Sequence, residues 1–526
     1  MNGLGIAEIK LSEVLENSLK RLEAEFYIAF SHSKGKFVLG NDAIEFVQYG
    51  TSEGLNEEGR GYPVLRLNEF ESIFIKEPSK YCEKIDDATY ESLKLKAGDV
   101  LICRTNGNPK LVGKSAIVPK DTDFAFASYV FRIRPKREVI NPETLTVYLN
   151  SKIGRAEIEK YSMVSNQANF SPAKFREIQI PLFDLEFQTR IEELVKAAHE
   201  KLEQSKRLYA EAESLLLGEL GLRDFLSEPP AVAGGSKQLT QNSSADKSDS
   251  KNPNASNAQQ NPPATAGGSD KRANPFSNIA VKSFKESFVA SGRLDAEFYQ
   301  PKYDYAFEKL KELKPLAIVP LESLLTMLTN GHTPLRHDLS VGDVAFLTAE
   351  HIHDFRVNFD SDKRILTEHH NGEVARTKIE TGDLLLTIKG RIGNAAVVEN
   401  VPRPANINQD VALLRLRDDI NAYYIAGFLN SILGKMFINR IATGQINPFL
   451  GLGNLRTIPI PLFAPEQMNK IGEHLKNKIH QAFDTQQQSK HLLETAKRGV
   501  ELAIEQDEQA ALELIGEKAG NHMTVT

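Results

Sequence analysis

The chain has few of the features that mark secreted, metal-stapled or membrane-spanning proteins. Only two cysteines, Cys82 and Cys103, occur in 526 residues. They are too few for a disulfide framework or a four-cysteine metal site, so we interpret them as core-filling or free thiols. No apolar run reaches the roughly 18 to 20 residues that a spanning helix needs, and the first residues lack a charged start followed by a long apolar block. We therefore expect a cytoplasmic protein that does not contact a membrane.

Sequence signatures of common enzymes are also missing. The chain has no G-x-x-x-x-G-K-[ST] phosphate loop, no G-x-S-x-G elbow and no H-E-x-x-H zinc pair. The Asn-Pro-Pro run at 261–263 lacks the aromatic fourth residue of an amino-methyltransferase tetrad, and we interpret it as compositional. The histidines at 351–353 and 369–370 have no counterpart in the other half of the chain and no cysteine nearby, which favours polar loop residues over metal ligands. The sequence thus predicts a non-catalytic chain that binds no metal.

Length and composition are those of a soluble globular chain with several cores. At 526 residues, a prior of roughly one domain per 150 residues allows two to four domains. Hydrophobic and charged fractions of 41% and 25% disfavour wholesale disorder. The formal net charge of −6 lacks the basic excess common in nucleic-acid binders. Basic residues can nevertheless cluster on one face while acidic helices dominate the sum, so net charge does not exclude such a partner.

Four phrases occur twice, in the same order, half a chain apart. RLEAEFY at 21–27 returns as RLDAEFY at 293–299, and AGDVLICRT at 97–105 as TGDLLLTIK at 381–389. YLNSKIGR at 148–155 returns as FLNSILGK at 428–435, and IQIPLF at 178–183 as IPIPLF at 458–463. Small changes in the spacing between phrases are what loop variation on a shared scaffold produces. We infer a tandem duplication whose period is too long for a solenoid.

The coarse structure of each copy follows from its apolar runs. DVLIC, SAIVP and YVFRIRP in the first copy, and DLLLTI, NAAVV and VALLRL in the second, predict strands. A helix is predicted around each LNS phrase, and Pro181 and Pro461 are expected to stop strand pairing or to begin a helix. The fold class is therefore mixed α/β (α+β), with duplicated domains at 1–184 and 276–464. Between the copies, the Ser-, Asn-, Ala-, Gly- and Pro-rich stretch 228–275 predicts a disordered linker.

Each copy closes with a long helix, predicted from about 186 to 217 and from about 466 to 504, in coiled-coil spacer segments at 185–222 and 465–515. Small residues recur every seven positions at equivalent places in both helices, flanked by larger aliphatics. This pattern predicts an antiparallel coiled coil with pseudo-two-fold symmetry and a length on the order of 50 Å. The alternative, in which each helix only covers its own domain, stays open. The predicted seam comprises Val195, Ala198, Ser205, Leu208, Ala212, Ile479, Ala482, Ser489, Leu492 and Ala496.

Two equivalent loops in each copy carry side chains suited to DNA. Arg and Lys can bind guanine or phosphate, Asn and Gln can pair with adenine, and Gly lets the backbone approach a duplex. Solvated basic loops are the alternative, and recurrence in both copies favours the functional interpretation. The predicted DNA-binding residues are Arg104, Asn106, Asn108, Lys110, Lys114, Gln167, Lys389, Arg391, Asn394 and Gln445.

The order of these phrases, occurring twice, resembles the specificity (S) subunit of type I restriction-modification enzymes over both halves of the chain. The resemblance implies two target-recognition domains that read the halves of an interrupted DNA site, separated by a spacer that the paired helices set. It also implies phage defence with two modification (methyltransferase) subunits and restriction/translocase subunits as partners. S-adenosylmethionine, ATP and Mg²⁺ are then expected on those partners and not on this chain. The long linker departs from the family pattern.

Three alternatives remain open at this point. The first is a specificity subunit of a related modification-only or type IIB-like system. A coiled-coil scaffold that binds no DNA is also compatible with the helices, and an enzyme such as a fused methyltransferase is opposed by the missing motifs. RLxAEFY itself is expected to pack rather than to contact bases, because residues that read different half-sites should differ between the copies.

Overall fold

The computed structural model describes residues 35–51, 53–164, 168–219, 280–335, 338–444 and 447–519. The predicted linker 228–275 and the first phrase at 21–27 lie outside the described residues, as do Gln167 and Gln445. The chain divides into two compact units, one formed by residues 1–208 with 481–526 and the other by 209–480. Each unit therefore combines one copy of the duplicated domain with a helical part from the other half of the chain.

The first unit contains a six-stranded sheet in the order β2-β11-β8-β9-β6-β5 and a four-stranded sheet in the order β10-β4-β7-β3. β1 pairs with β14, and β12 pairs with β13. The strands are β1 (Lys36–Leu39), β2 (Ile44–Tyr49), β3 (Leu55–Asn56), β4 (Tyr62–Leu65), β5 (Phe70–Glu71), β6 (Phe74–Ile75), β7 (Tyr81–Cys82), β8 (Val100–Cys103), β9 (Ser115–Ile117), β10 (Ala125–Phe126), β11 (Val130–Pro135), β12 (Met163–Val164), β13 (Ala168–Asn169) and β14 (Gln179–Leu182).

The second unit repeats the central part of this topology with fewer strands. Its main sheet has the order β16-β24-β21-β22, a second sheet has the order β20-β17-β23, and β15 pairs with β25 as β18 does with β19. Both copies contain a parallel pair at the same place, β4 with β10 and β17 with β23, and in the first unit β6 also pairs in parallel with β9. The strands are β15 (Ala317–Pro320), β16 (Leu325–Asn330), β17 (Val344–Leu347), β18 (Ile352–His353), β19 (Arg356–Val357), β20 (Arg364–Ile365), β21 (Leu384–Thr387), β22 (Ala395–Val397), β23 (Ala405–Ile407), β24 (Val411–Leu416) and β25 (Pro459–Leu462).

Helices complete both units, and the fold class is the mixed α/β class predicted from the sequence. None of the described helices combines the length and hydropathy that a membrane span requires. The helices are α1 (Asp87–Leu93), α2 (Pro142–Asn150), α3 (Lys152–Tyr161), α4 (Pro172–Glu177), α5 (Leu185–Glu219), α6 (Pro301–Glu312), α7 (Thr367–Asn371), α8 (Ala422–Asn430), α9 (Ile432–Ile441), α10 (Leu452–Leu455), α11 (Pro465–Glu505) and α12 (Glu508–Ala519).

The second spacer segment contains two helices. α11 agrees with the helix predicted from about 466 to 504, but a single helix that continues to residue 515 is wrong, because α11 ends at Glu505 and α12 begins at Glu508. The side chain of Asp507 accepts a hydrogen bond from the N–H of Ala510 at 2.9 Å, which caps the new helix. His491 on α11 lies 3.2 Å from the carbonyl oxygen of Lys518, so α12 folds back along α11.

The duplicated Gly-Asp phrase has a structural role in both units. Asp99 is fully buried and binds Arg132 at 3.2 Å and Arg134 at 2.8 Å, two residues of the neighbouring strand β11. In the second unit, Asp383 is 1% exposed and binds Arg415 of β24 through two bonds of 2.8 and 3.0 Å. Each carboxylate thus joins the turn before a central strand to the adjacent strand.

The duplicated Leu-Asn-Ser phrase joins two helices to a strand edge. The side chain of Asn150 donates to the carbonyl of Ser115 at 3.0 Å, and Asn430 does the same to Ala395 at 2.8 Å. The following serine begins the next helix by accepting from the N–H of Gly154 or Gly434. A Cβ at Gly154 would lie 1.9 Å from a main-chain oxygen, which explains why the phrase needs glycine at this place.

The two Ile-Pro-Leu-Phe phrases are strands, so the expectation that their prolines stop pairing is wrong. Pro181 of β14 lies opposite Phe37 of β1, and Pro461 of β25 lies opposite Ile318 of β15. In the part of the chain that the structure describes, both sheets have two strands. A strand with one partner uses only part of its N–H groups in the ladder, and it therefore tolerates proline.

The two long helices run antiparallel where they meet inside the first unit. The hydroxyl of Ser205 donates to the carbonyl of Ala482 at 2.7 Å, and the hydroxyl of Ser489 donates to the carbonyl of Ala198 at 2.6 Å. Since the two serines occupy equivalent positions in the duplicated sequence, the pair of bonds is reciprocal. Except for half-buried Leu208, the predicted seam residues are all buried. In the second unit, Ala212 and Ile479 belong to one core cluster.

The RLDAEFY phrase at 293–299 uses some of its residues in local packing. Arg293 binds both carboxylate oxygens of Asp295 at 2.7 Å and donates to the carbonyls of Ile441 and Ala442 at the end of α9. Its guanidinium also lies 4.7 Å from the centre of the Phe298 ring. Leu294 is 67% exposed, so this leucine does not pack inside its own copy, and packing against a docked partner stays a prediction.

Burial of Glu157 on α3 leads to a prediction about pH. Burial raises the pKa of Glu157 above 4.5, against the lowering effect of Lys160. Between the two pKa values the folded state binds more protons than the unfolded state, so stability falls as pH rises through this window. Glu157→Gln keeps an acceptor for the N–H of Gln179, which lies 3.0 Å from the carboxylate. Urea unfolding should show the variant gaining stability relative to the parent between about pH 4 and 7. A difference in unfolding free energy between variant and parent that is the same at about pH 4 and pH 7 would contradict this prediction.

Candidate functional site

The loop between β8 and β9 brings four of the predicted contact residues together in the first unit. The side-chain oxygen of Asn106 accepts from the N–H of Asn108 at 2.8 Å, and that of Asn108 accepts from the N–H of Lys110 at 3.1 Å. These bonds shape the loop, and the exposed side chain of Lys110 extends from it. Lys114, at the base of the loop, is half-buried, and burial lowers its pKa.

Arg104 is held at the start of this loop by its backbone and its side chain. Its N–H donates to the carbonyl of Tyr129 at 2.8 Å, and its carbonyl accepts from the N–H of Phe170 at 2.8 Å. The guanidinium lies 5.2 Å from the ring centre of Tyr49, which is 50% exposed. Its Nε is shielded from water and has no hydrogen-bond partner in the described part of the chain. An exposed aromatic ring under a fixed guanidinium is a surface suited to DNA bases and phosphates.

The loop between β21 and β22 is the counterpart in the second unit. Lys389 and Arg391 are exposed on it, and Gly390 and Gly393 adopt positive φ angles of 75° and 93° that favour glycine. Asn394 does not share this exposure: it is 8% exposed and its side chain donates to the carbonyl of Ile352 at 3.2 Å. Its role as a DNA-contact residue stays a prediction. Asn394 supports the loop from below.

Backbone hydrogen bonds agree with the correspondence that the repeated phrases give between the two loops. The N–H of Ile388 donates to the carbonyl of Asp410 at 2.9 Å, as Arg104 does to Tyr129, so Ile388 and Arg104 are equivalent. Lys389 therefore corresponds to Thr105. The first loop is also longer, so the two copies present cations from different backbone positions.

The second unit contains a cleft of about 600 Å³ beside this loop. Its lining includes the predicted Lys389, Arg391 and Asn394, Asn447 of the second shared loop, and further residues that sequence reasoning missed. Burial, with Arg356 and Arg391 nearby, lowers the pKa of His353, so this imidazole is neutral near pH 7 and can donate or accept. The missed residues are Thr348, Glu350, His353, Lys363, Asn408 and Asp410. They lie outside the duplicated phrases, and only the position of Asp410 next to the strand VALLRL pointed to the loop.

Several histidines have local structural contacts. The Nδ1 of His351 lies 3.1 Å from the N–H of Thr348 and caps a short turn, and His370 Nδ1 lies 2.5 Å from the side-chain oxygen of Asn406. Among the described residues, no group of three or more His, Cys, Asp or Glu has the arrangement of a metal site. Both cysteines are buried, and burial raises the pKa of Cys103 to about 11.

Comparison with known proteins finds a family match in the first half of the chain. Residues 51–214, which include the β8–β9 loop, match the family model described as Type I restriction modification DNA specificity domain. The Type I restriction enzyme StySPI specificity subunit from Salmonella potsdam is 28% identical over 152 residues, which cover 28% of this chain. The match spans 32% of that relative's length. The resemblance to type I specificity subunits that the repeated phrases indicate is thus confirmed.

Solved structures of such subunits also align with the chain. The S subunit of a type I restriction-modification system from M. genitalium has a TM-score of 0.42 and 11% identity, covering 89% of this chain and 96% of its own. The HsdS subunit from Thermoanaerobacter tengcongensis has a TM-score of 0.27 and 15% identity, covering 90% and 97%.

Proposed function

We propose that the chain is the DNA sequence-recognition subunit of a type I restriction-modification complex. Each unit presents one target-recognition domain, and the two domains read the two halves of an interrupted site. The observation that carries this proposal is one sheet topology, built twice, with loops of different length and charge at the same place. A shared scaffold with divergent loops suits a protein that reads two different half-sites.

The chemistry of modification and cleavage belongs, in this proposal, to partner chains. Two modification subunits supply S-adenosylmethionine and the methylating site, and restriction/translocase subunits supply ATP- and Mg²⁺-dependent steps in the cytoplasm. The chain itself is then non-catalytic. The DNA specificity domain at 51–214 supports this assignment for the first copy, and the repeated topology extends it to the second.

Methylome sequencing of cells with and without the chain tests the proposal directly. We expect a bipartite motif, methylated on both strands, that disappears with the gene and returns with the intact chain. Methylation without any loss of unmodified phage DNA would identify a modification-only system. A coiled-coil scaffold predicts no change in methylation and no sequence enriched from a random duplex pool by the chain with its modification partner.

Arg391 provides a prediction about half-site recognition. Its side chain is exposed at the cleft of the second unit. Arg391→Ala should weaken binding to the second half-site by about 1 to 3 kcal/mol if the guanidinium contacts a base, and should leave discrimination at the first unchanged. Competition binding with duplexes altered in one half at a time measures this.

Matched variants distinguish this half-site effect from a general loss of DNA binding. Arg104→Ala should affect the first half-site alone. Arg417→Ala removes an exposed arginine at the far end of β24, where it pairs with Asp419, and should leave both half-sites unchanged. Equal losses at both half-sites for Arg391→Ala would mean a fold or assembly defect.

A further inference from the structure

The cleft of the second unit has a carboxylate at its floor with one uncommitted oxygen. Asp410 precedes β24, and its Oδ2 accepts a hydrogen bond from the side-chain amide of Asn408 at 2.7 Å. The N–H of Asp410 in turn donates to the side-chain oxygen of Asn408 at 3.1 Å. Oδ1 is shielded from water and has no hydrogen-bond partner among the residues that the structure describes. The Asn408 bonds therefore fix the carboxylate while leaving one acceptor unused.

Lys389 lies near this oxygen but does not form a hydrogen bond with it. Its Nζ lies 3.9 Å from Oδ1, too far for a hydrogen bond, and its side chain is 54% exposed. A buried acceptor without a donor costs free energy that a ligand with a matching N–H can recover. A nearby DNA phosphate would attract the lysine away from the carboxylate and open Oδ1 toward the cleft.

The position of Asp410 is also one where the two copies differ in chemistry. Tyr129 occupies the same backbone place in the first unit, since its carbonyl accepts from Arg104 as that of Asp410 accepts from Ile388. A phenol can donate or accept, whereas an ionised carboxylate can only accept. Residues that distinguish the half-sites are expected next to the recognition loop, at structurally equivalent positions that carry different side chains in the two copies.

We propose that Asp410 is a specificity-determining residue of the second recognition domain. Its Oδ1 accepts a hydrogen bond from the exocyclic amino group of a base in the major groove, while Lys389 moves to the DNA backbone. Only adenine, through N6, and cytosine, through N4, present an amino group there. This inference rests on the proposed function and adds to it the class of base that the second half-site must contain.

The substitution Asp410→Asn gives a sharp test because the shape of the side chain is retained. The amide of Asn408 still requires an acceptor, so the new side-chain oxygen takes the place of Oδ2 and the new NH₂ takes the place of Oδ1. The acceptor facing the base becomes a donor. We expect the preference at one position of the second half-site to change from adenine or cytosine to thymine or guanine, whose O4 and O6 accept.

The measurement is competition binding by the full chain with its modification partner, on duplexes altered at each position of the site. At one position of the second half-site, removal of the exocyclic amino group from adenine or cytosine should weaken binding by the parent about tenfold. The same altered duplex should bind Asp410→Asn without loss of affinity. The result also tells adenine from cytosine. Asp418→Asn, the same change beyond the opposite end of β24, should behave as the parent.

Three outcomes overturn the inference without touching the proposed function. These are an unchanged preference in Asp410→Asn, a uniform weakening on every duplex, and a lowered unfolding temperature with weakening at both half-sites. The last two would assign Asp410 a general electrostatic or a structural role. A parent chain that selects no bipartite sequence would instead refute the proposed function itself.

Discussion

Asp99→Ala should destabilise the first unit by about 3 to 5 kcal/mol, as expected for a buried ion pair that loses one partner. The carboxylate is fully buried, and its removal leaves Arg132, itself 4% exposed, without its ionic partner. The same carboxylate accepts from the N–H of Lys96 at 2.9 Å, so the turn before β8 also loses a bond. Hydrogen exchange of the amides of β8 reports the loss inside this unit.

The second copy provides an internal replicate of this experiment. Asp383→Ala removes both bonds to Arg415 and the acceptor for the N–H of Glu380, and should expose the amides of β21 in the same way. Asp419→Ala is the matched control, because its pair with Arg417 is exposed on both sides. If the amides of β8 and β21 keep their protection from hydrogen exchange in Asp99→Ala and Asp383→Ala, the duplicated aspartates are not the structural links that we describe.

The elements that the sequence predicted correctly are those set by local pattern. The apolar runs DVLIC, SAIVP and YVFRIRP correspond to β8, β9 and β11, and their second copies correspond to β21, β22 and β24. Runs of four to six residues that are rich in Val, Ile and Leu and bounded by Gly and Pro are typical of strands. The starts of the long helices at Leu185 and Pro465 also agree with the predicted starts.

The failures come from contacts between residues distant in sequence. Asn394 was predicted as a contact residue from its loop alone, which does not reveal that the hairpin β18–β19 places the carbonyl of Ile352 beside its side chain. Pro181 was interpreted by propensity alone, which cannot reveal that β14 has a single partner strand. Asp410 was missed because an aspartate before a strand is common, and only the arrangement of Asn408 and Lys389 around it distinguishes this one.

Deleting one heptad from both long helices in register should shorten the DNA spacer that the complex tolerates by about three base pairs. The reciprocal serine bonds place Ala198 opposite Ser489 and Ser205 opposite Ala482, so residues 199–205 face residues 482–488. Removing both stretches keeps Ala198 opposite Ser489 and restores the seven-residue spacing of small residues on either side. At 1.5 Å per residue the helices lose about 10 Å, or about three steps of 3.4 Å along the duplex.

Methylome sequencing of cells that carry the shortened chain measures the spacer, with both half-sites expected to keep their sequence. Deletion of 199–205 alone is the control, because it displaces the seam of one helix against the other and should abolish modification rather than redirect it. A shortened chain that methylates the original motif would refute the idea that the helices measure the spacer, since the half-sites would then keep their separation without the seven residues. A new spacer with unchanged half-sites would assign sequence to the domains and distance to the helices, two properties that could then be altered independently.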